Sequence, residues 1–202
     1  MISAILLAAG ESRRMGRSKQ LLPWRGKPLL QHVLDSLLAS QVGEVILVLG
    51  FDADKIIRAL SKGRARIVVN PDFRRGMSTS IRHGLLALAP ASRGFLICLG
   101  DQPGIGKDIV NRLIQAFDQH FPQKSIIVPT FRGSWGHPVL FGIQYRDEAL
   151  ALQGDRGCRP LLETHPEHLQ LVEVGTPAIL SDIDTPCDFE EFTNSKGREE
   201  PE

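Results

Sequence analysis

Residues 7–19 read LAAGESRRMGRSK: small and apolar residues give way to a glycine, two arginines, a second glycine, a third arginine and a lysine. Glycines let backbone N–H groups come close to an anion. Arg14 and Lys19 can neutralise several negative charges, arginine as a planar fork and lysine as a point charge. These are the parts a polyphosphate needs. Two familiar phosphate loops fail on spacing. A Walker A loop requires G-x4-G-K-[ST], whereas five residues separate Gly10 from Gly16 and Lys19 comes two positions late. A dinucleotide fingerprint runs G-x-G-x-x-G straight into a helix, whereas here helical patterning resumes only near Pro28. Kinase, ATPase and NAD-binding readings lose their support.

Other residues carry chemistry at intervals. Asp101 follows an apolar run directly, in LGDQP (99–103). A carboxylate there stands at the mouth of a crevice, where magnesium held by one or two carboxylates and substrate phosphates is the usual arrangement; capping of the following helix is the competing reading. Asp182 and Asp184 are i and i+2, so on an extended segment they face the same way. Either can be a second metal ligand, or both can shape a turn before Pro186. His137, in GHPVLF, can contact an acceptor or a phosphate, or can order a turn. Asp155, Gly157 and Arg159 lie on a loop entering a helix. Arg159 and that helix start can hold an anion, or Asp155 can be a cap beside a surface arginine. Gly76, Met77, Ser78 and Ser80 either line a pocket or, with Thr79, begin a helix as an N-cap.

These groups need a scaffold that collects them. ISAILLAA (2–9), EVILVLG (44–50), ARIVV (65–69), GFLICLG (94–100) and SIIVP (125–129) are short continuous apolar runs, the pattern of strands buried on both faces. Helical stripes predict helices behind Pro28 and over 53–61, 78–89 and 106–121, with shorter ones at 144–152, 159–165 and 187–193. LQLVEV (169–174) is a late strand. HPVLFG (137–142) is a further strand, expected in a small β arm beside the main sheet. The alternation predicts an α/β fold, a mostly parallel sheet flanked by helices. Ligands in such sheets bind beyond the carboxyl ends of the strands, so the loops at 10–27, 70–77 and 101–105 are expected to share one crevice. One domain over 1–192 and a flexible tail over 193–202 complete the expectation.

Composition narrows the function classes. The chain has 202 residues, net charge +1, 42% hydrophobic and 6% aromatic residues. Near-neutral charge and few aromatics argue against a nucleic-acid or anionic-membrane partner. Charge is nevertheless uneven, basic over 11–27 and acidic over 181–202. The two regions either meet at one site, bridged by a ligand or metal, or are separate solvated surfaces. Cys98, Cys158 and Cys187 have no zinc-ligand spacing, and an odd, low count fits a reducing cytoplasm. No apolar run approaches the ~20 residues of a spanning helix.

The stretch LAAGESRRMGRSKQLLPWRGKPLL resembles the signature of the nucleotidyltransferases that cap the molybdenum cofactor, L-A-x-G-x-S-x-R-M-G-x-x-K-x-L-L-P. The resemblance continues through GMSTSIRHG (76–84), LGDQP, PTFRGSWGHPVLF (129–141), GDRGCRPLL (154–162) and DIDTPCD (182–188), and so spans nearly all the chain except the tail. It implies a Rossmann-like nucleotidyltransferase fold and transfer of a nucleotidyl group from a triphosphate to the phosphate of a molybdopterin acceptor, with pyrophosphate released. Mg2+, or Mn2+, is the implied cofactor, with Asp101 and, as the residue before Thr-Pro, Asp184 as ligands. The implied nucleotide site comprises Leu7, Ala8, Ala9, Gly10, Arg14, Gly16, Lys19, Ser78 and Gly100. Lys19, Arg14 and Asp101 carry catalysis, and His137, Asp155 and Arg159 hold the acceptor. Guanylyl-transferring relatives have glycine where Ala9 stands, which points to CTP as donor. They also tend to have asparagine where Asp184 stands, and alanine is common where Cys158 stands. The implied recipient of the product is an apo-molybdoenzyme of the xanthine dehydrogenase type. A sugar-1-phosphate or isoprenoid-precursor nucleotidyltransferase, or a non-catalytic protein that binds nucleotide or cofactor, are the alternatives that acceptor and pyrophosphate assays separate.

Overall fold

The structure, a computed structural model, describes the backbone of residues 1–196 and the side chains of residues 1–194. Strand β1 (Ile2–Ala8) is buried at every position, and the period of two explains why. Ala4, Leu6 and Ala8 pack on one face of the sheet and Ile5 and Leu7 on the other. The first face is covered by α1 (Leu29–Leu38), α2 (Ala53–Ala59) and α4 (Lys107–His120). The second is covered by α3 (Met77–Leu86), α5 (Arg146–Leu150) and α6 (Arg159–Thr164). A strand with two covered faces has no polar positions to alternate, hence the unbroken apolar runs.

The remaining strands are a two-residue ribbon, β2 (Pro23–Trp24) with β3 (Lys27–Pro28), then β4 (Glu44–Leu49), β5 (Arg66–Val69), β6 (Gly94–Leu99), β7 (Ile126–Phe131), β8 (Ser134–Trp135), β9 (Val139–Gly142) and β10 (Leu169–Glu173). Among the described residues the main sheet has eight strands, ordered β10-β7-β9-β6-β1-β4-β5, with β8 on β7. All its pairings are parallel except those of β8 and β9. The expected α/β, mostly parallel, Rossmann-like architecture is therefore present.

Three particulars differ from the sequence reading. HPVLFG does not lie in an arm: β9 is inserted antiparallel between β6 and β7 and is buried throughout. The short antiparallel pieces are instead the β2–β3 ribbon and β8. Residues 10–27 are not an open loop. Two 3₁₀ turns, Arg13–Met15 and Lys19–Leu21, shape them, and buried Met15 and Leu22 anchor them beside Leu29 and Ile183. Pro28 closes the ribbon opposite Pro23 and immediately precedes α1 rather than occupying its first turn. Arg25 and Gly26 both have positive φ, as a tight two-residue hairpin turn requires. Finally, α7 (Pro186–Lys196) carries the chain through four residues assigned to a tail; the rest of that tail lies outside the described residues.

Candidate functional site

The carboxyl ends of β1 and β6 open onto a polar cavity of about 370 Å³. Leu7, Ala8, Ala9, Gly10, Arg14, Lys19, Gly100, Asp101 and Asp184 all line it, and so do Gln20, Phe73 and Asp182. Gln20 fixes the loop over the strand end. Its buried side-chain amide donates to the carbonyls of Ala8 (3.3 Å) and Gly10 (3.2 Å). Ser12, at positive φ, accepts from the Lys19 N–H through Oγ at 3.1 Å. The geometry brings Lys19 under the strand end instead of leaving it in solvent.

Lys19 Nζ donates to Asp101 Oδ2 at 2.5 Å and to Asp184 Oδ1 at 2.7 Å. Arg14 donates to the other Asp184 oxygen at 2.6 Å. Part of the uneven charge therefore meets here: Arg14 and Lys19 of the basic loop pair with Asp184 of the acidic segment, while Arg13 and Lys27 pair with Glu11 and Asp35. Burial by itself pushes the Lys19 ammonium down, but Asp101 and Asp184 outweigh it and hold the pKa above its ordinary value. Burial likewise pushes Asp184 up, and Lys19 with Arg14 outweigh that and hold it low. Asp182 goes the other way, raised by desolvation and by the charge of Asp101, although Gln102 donates to it at 2.7 Å. Asp184 thus stays a carboxylate more readily than its neighbour.

Asp101 Oδ1 is buried and has no hydrogen-bond partner among the described residues. A buried carboxylate oxygen left unmatched is costly, and Asp101 shares Lys19 with a second carboxylate, Asp184, a pair suited to a hard divalent cation. Asp101 and Asp184 therefore fit magnesium or manganese.

A larger cavity of about 810 Å³ adjoins the first, sharing Met77, Leu99, Asp155 and Asp182 with it. Its walls are Ile97, Leu99, Val128, Val139, Phe141 and Leu162, with Trp135 at the rim. His137, Asp155 and Arg159, the expected acceptor residues, all line it. Burial pushes the His137 imidazole below its ordinary value, against the opposing influence of Asp101 and a hydrogen bond to the Ile97 backbone. Its Nδ1 is buried and has no partner among the described residues. Asp155 serves two purposes. It accepts the Met77 N–H at 2.8 Å, at the start of α3 and not of the helix that follows it in sequence. This apposition explains Gly76, whose φ is +111°: a Cβ there would come within 2.8 Å of the Gly154 backbone. Arg159 is exposed and pairs with Glu163, which Arg156 also grips.

Two expected nucleotide residues are not among those lining the polar cavity. Gly16 is the left-handed residue that closes the first 3₁₀ turn, and its N–H bonds Arg13. Buried Ser78 lies at the start of α3, where its N–H donates to Gly154. The sequence reading missed Gln20, Phe73, Gln102, Trp135, Arg156 and Glu163. Only Arg156, beside a glycine-rich loop, offered a signal; the others look like ordinary surface or core residues.

The MobA-like NTP transferase domain matches residues 4–170. The chain is 32% identical over 193 residues to the nicotine blue oxidoreductase of Paenarthrobacter nicotinovorans, covering 91% of this chain and 92% of that one. It is 29% identical over 189 residues to the molybdenum cofactor cytidylyltransferase of Escherichia coli K12, covering 93% of each. A solved structure of Rv0371C from Mycobacterium tuberculosis H37Rv in complex with manganese superposes with a TM-score of 0.81 at 28% identity, over 96% of this chain and 98% of that one. No helix among the described residues is long and apolar enough to cross a membrane.

Proposed function

We propose that this chain, which belongs to the MobA-like NTP transferase family, moves CMP from CTP to the terminal phosphate of molybdenum-bound molybdopterin and releases pyrophosphate. The observation that carries the reading is the convergence of Lys19, Asp101, Asp184 and Arg14 where a small polar cavity meets a large apolar-walled one. A phosphate oxygen of the acceptor forms the new bond to the α-phosphorus, and the bond to the bridging oxygen of pyrophosphate breaks in line. The acceptor is already anionic, so the protein need supply neither nucleophile nor base. Positioning and charge neutralisation carry the catalysis. Lys19 and Arg14 hold the triphosphate against the Ala8–Gly10 strand end. Asp101 and Asp184 would hold Mg2+, which would supply neutralisation of the charge that develops on the reacting phosphates. The apolar walls take the fused-ring part of the acceptor, and His137, Asp155 and Arg159 its polar edge. Ala9, buried in the cavity wall, favours the cytosine donor.

A relative whose name is that of a cytidylyltransferase supports this choice. The relative named as an oxidoreductase makes acceptor identity the point to test. The cytoplasm is the proposed compartment, and an apo-molybdoenzyme of the xanthine dehydrogenase type is the proposed recipient. The test is pyrophosphate release with Mg2+ and molybdenum-loaded molybdopterin, run with CTP, GTP, ATP and UTP in parallel. Release with CTP alone is the expected result. Release with another nucleotide keeps the reaction and overturns the base. No release from folded protein moves the reading to another acceptor or to a cofactor-binding accessory role.

A further inference from the structure

A second group of chemistry-bearing side chains lies at the opposite end of the sheet. The cleft opens at the carboxyl ends of β1 and β6, whereas HPEH (165–168) sits at the starts of β7 and β10, which run parallel to them. One potential ligand atom from each of His165, Glu167 and His168 lies within 4.8 Å of the others. Glu167 Oε1 is 3.5 Å from His168 Nδ1 and 3.9 Å from His165 Nδ1. In a tetrahedral zinc site, metal–ligand bonds of about 2.0–2.2 Å place ligand atoms roughly 3.3–3.6 Å apart, so only small side-chain movements separate this triangle from a coordinating one.

Two further features favour coordination. His165 Nε2 lies 2.8 Å from Glu148 Oε2. A carboxylate on the far nitrogen of an imidazole fixes the tautomer and leaves the other nitrogen with its lone pair, as it does behind metal-bound histidines. The backbone is also held. His165 N–H donates to Leu161, His168 N–H to His165, and Ser125 N–H to His168, at 3.0–3.1 Å. The Tyr145 hydroxyl meets His168 Nδ1 at 2.6 Å and Ser125 at 2.9 Å, so it keeps Ser125 as a partner when that nitrogen is given up.

We propose that His165, Glu167 and His168 bind a divalent transition-metal ion of the zinc type, with water completing the shell and Glu148 orienting His165. Two imidazoles and one carboxylate suit zinc, cobalt or nickel and do not suit magnesium. The ion ties together the α6–β10 connection, whose His165 is also held by Glu148 of α5, and acts on stability, not on turnover.

The test uses the chelator-stripped full chain with millimolar Mg2+ present to fill the carboxylate site in the cleft. Zn2+ is titrated by calorimetry and Co2+ by visible absorption. One Zn2+ per chain and the intense bands of four-coordinate cobalt are expected. The double variant His165→Ala, His168→Ala loses both signals. Single His165→Gln and His168→Gln variants, which preserve size and polarity, each lose the cobalt bands. Glu148→Gln weakens Zn2+ binding about 10–100-fold, and transferase turnover is unchanged in all. Zn2+ binding that survives in the double variant, or cobalt bands of the weak octahedral type, overturns the proposal. So does an absence of any ion beyond those Mg2+ displaces, which leaves the cluster as ion pairs alone.

Discussion

The two adjoining cavities are built from different materials. The smaller one is made of a strand end, one basic loop and two carboxylates, with Lys19 paired to both of them. The larger one is walled by the same strand residues that form the core beneath α3, α5 and α6: Ile97 and Leu99 from β6, Val128 from β7, Val139 and Phe141 from β9. For the proposed reaction this means that charge would do the selecting in the first, where a misplaced group would cost rate, and shape and apolar area in the second, where a missing group would cost affinity. The same sheet supports both because β9 runs antiparallel between β6 and β7 and widens the sheet beside the cleft.

The contrast is broken most directly at its charged side. Lys19→Ala and Asp101→Ala are expected to lower kcat about 10²–10³-fold while circular dichroism stays native, since one preorganised electrostatic contact to a developing charge is worth that much. Near-normal turnover in either variant would remove the small cavity from the chemistry. Ala9→Gly tests the same cavity more gently. Removing one methyl from its wall is expected to shift the CTP-to-GTP ratio of kcat/KM toward GTP by roughly tenfold to a hundredfold, the range that one methyl group commands in a pocket. An unchanged ratio places base choice elsewhere.

The same division explains what was legible in the sequence. The basic loop stood out by its charge and glycines and Asp101 by its place after an apolar strand, whereas Asp184 was chosen over Asp182 only through the resemblance to a nucleotidyltransferase signature. The alternating strands and helices were visible because periodicity records burial. HPVLFG was readable as a strand but not as an antiparallel insertion, since a residue buried on both faces looks the same in either direction. The larger cavity was almost invisible, because Val128, Val139 and Phe141 belong equally to the core and to its wall. Gln20 and Gln102 were missed for a related reason. Their partners, the Ala8 and Gly10 carbonyls and Asp182, are reached only through the fold.

Trp135 sharpens the comparison from the apolar side. It is half exposed on β8 at the rim of the larger cavity, where it can cover a planar ligand. An aromatic contact there is worth about 0.5–1.5 kcal/mol beyond area burial. Trp135→Ala is therefore expected to raise KM for the acceptor up to about tenfold, with kcat and KM for the nucleotide nearly unchanged. Steady-state kinetics with each substrate varied in turn makes the distinction, and a fall in kcat without a change in KM would contradict the division of labour.

The smallest effect concerns thiols and tests how closed the larger cavity is. Cys158 forms part of its wall, is 8% exposed, and burial pushes its thiol up to about 12. Cys187 is exposed; the hydrogen bond and charge of Glu191 raise its pKa, but reagent can reach it. The thiolate is the reacting form, so at pH 8 Cys158 should alkylate roughly a thousandfold more slowly than a free thiol. Native protein treated with iodoacetamide should accordingly take up one equivalent first, located at Cys187 by peptide mass spectrometry, and transfer activity should survive. First labelling at Cys158 would mean that the apolar wall opens to water and reagent, and a wall that opens so readily cannot select by shape.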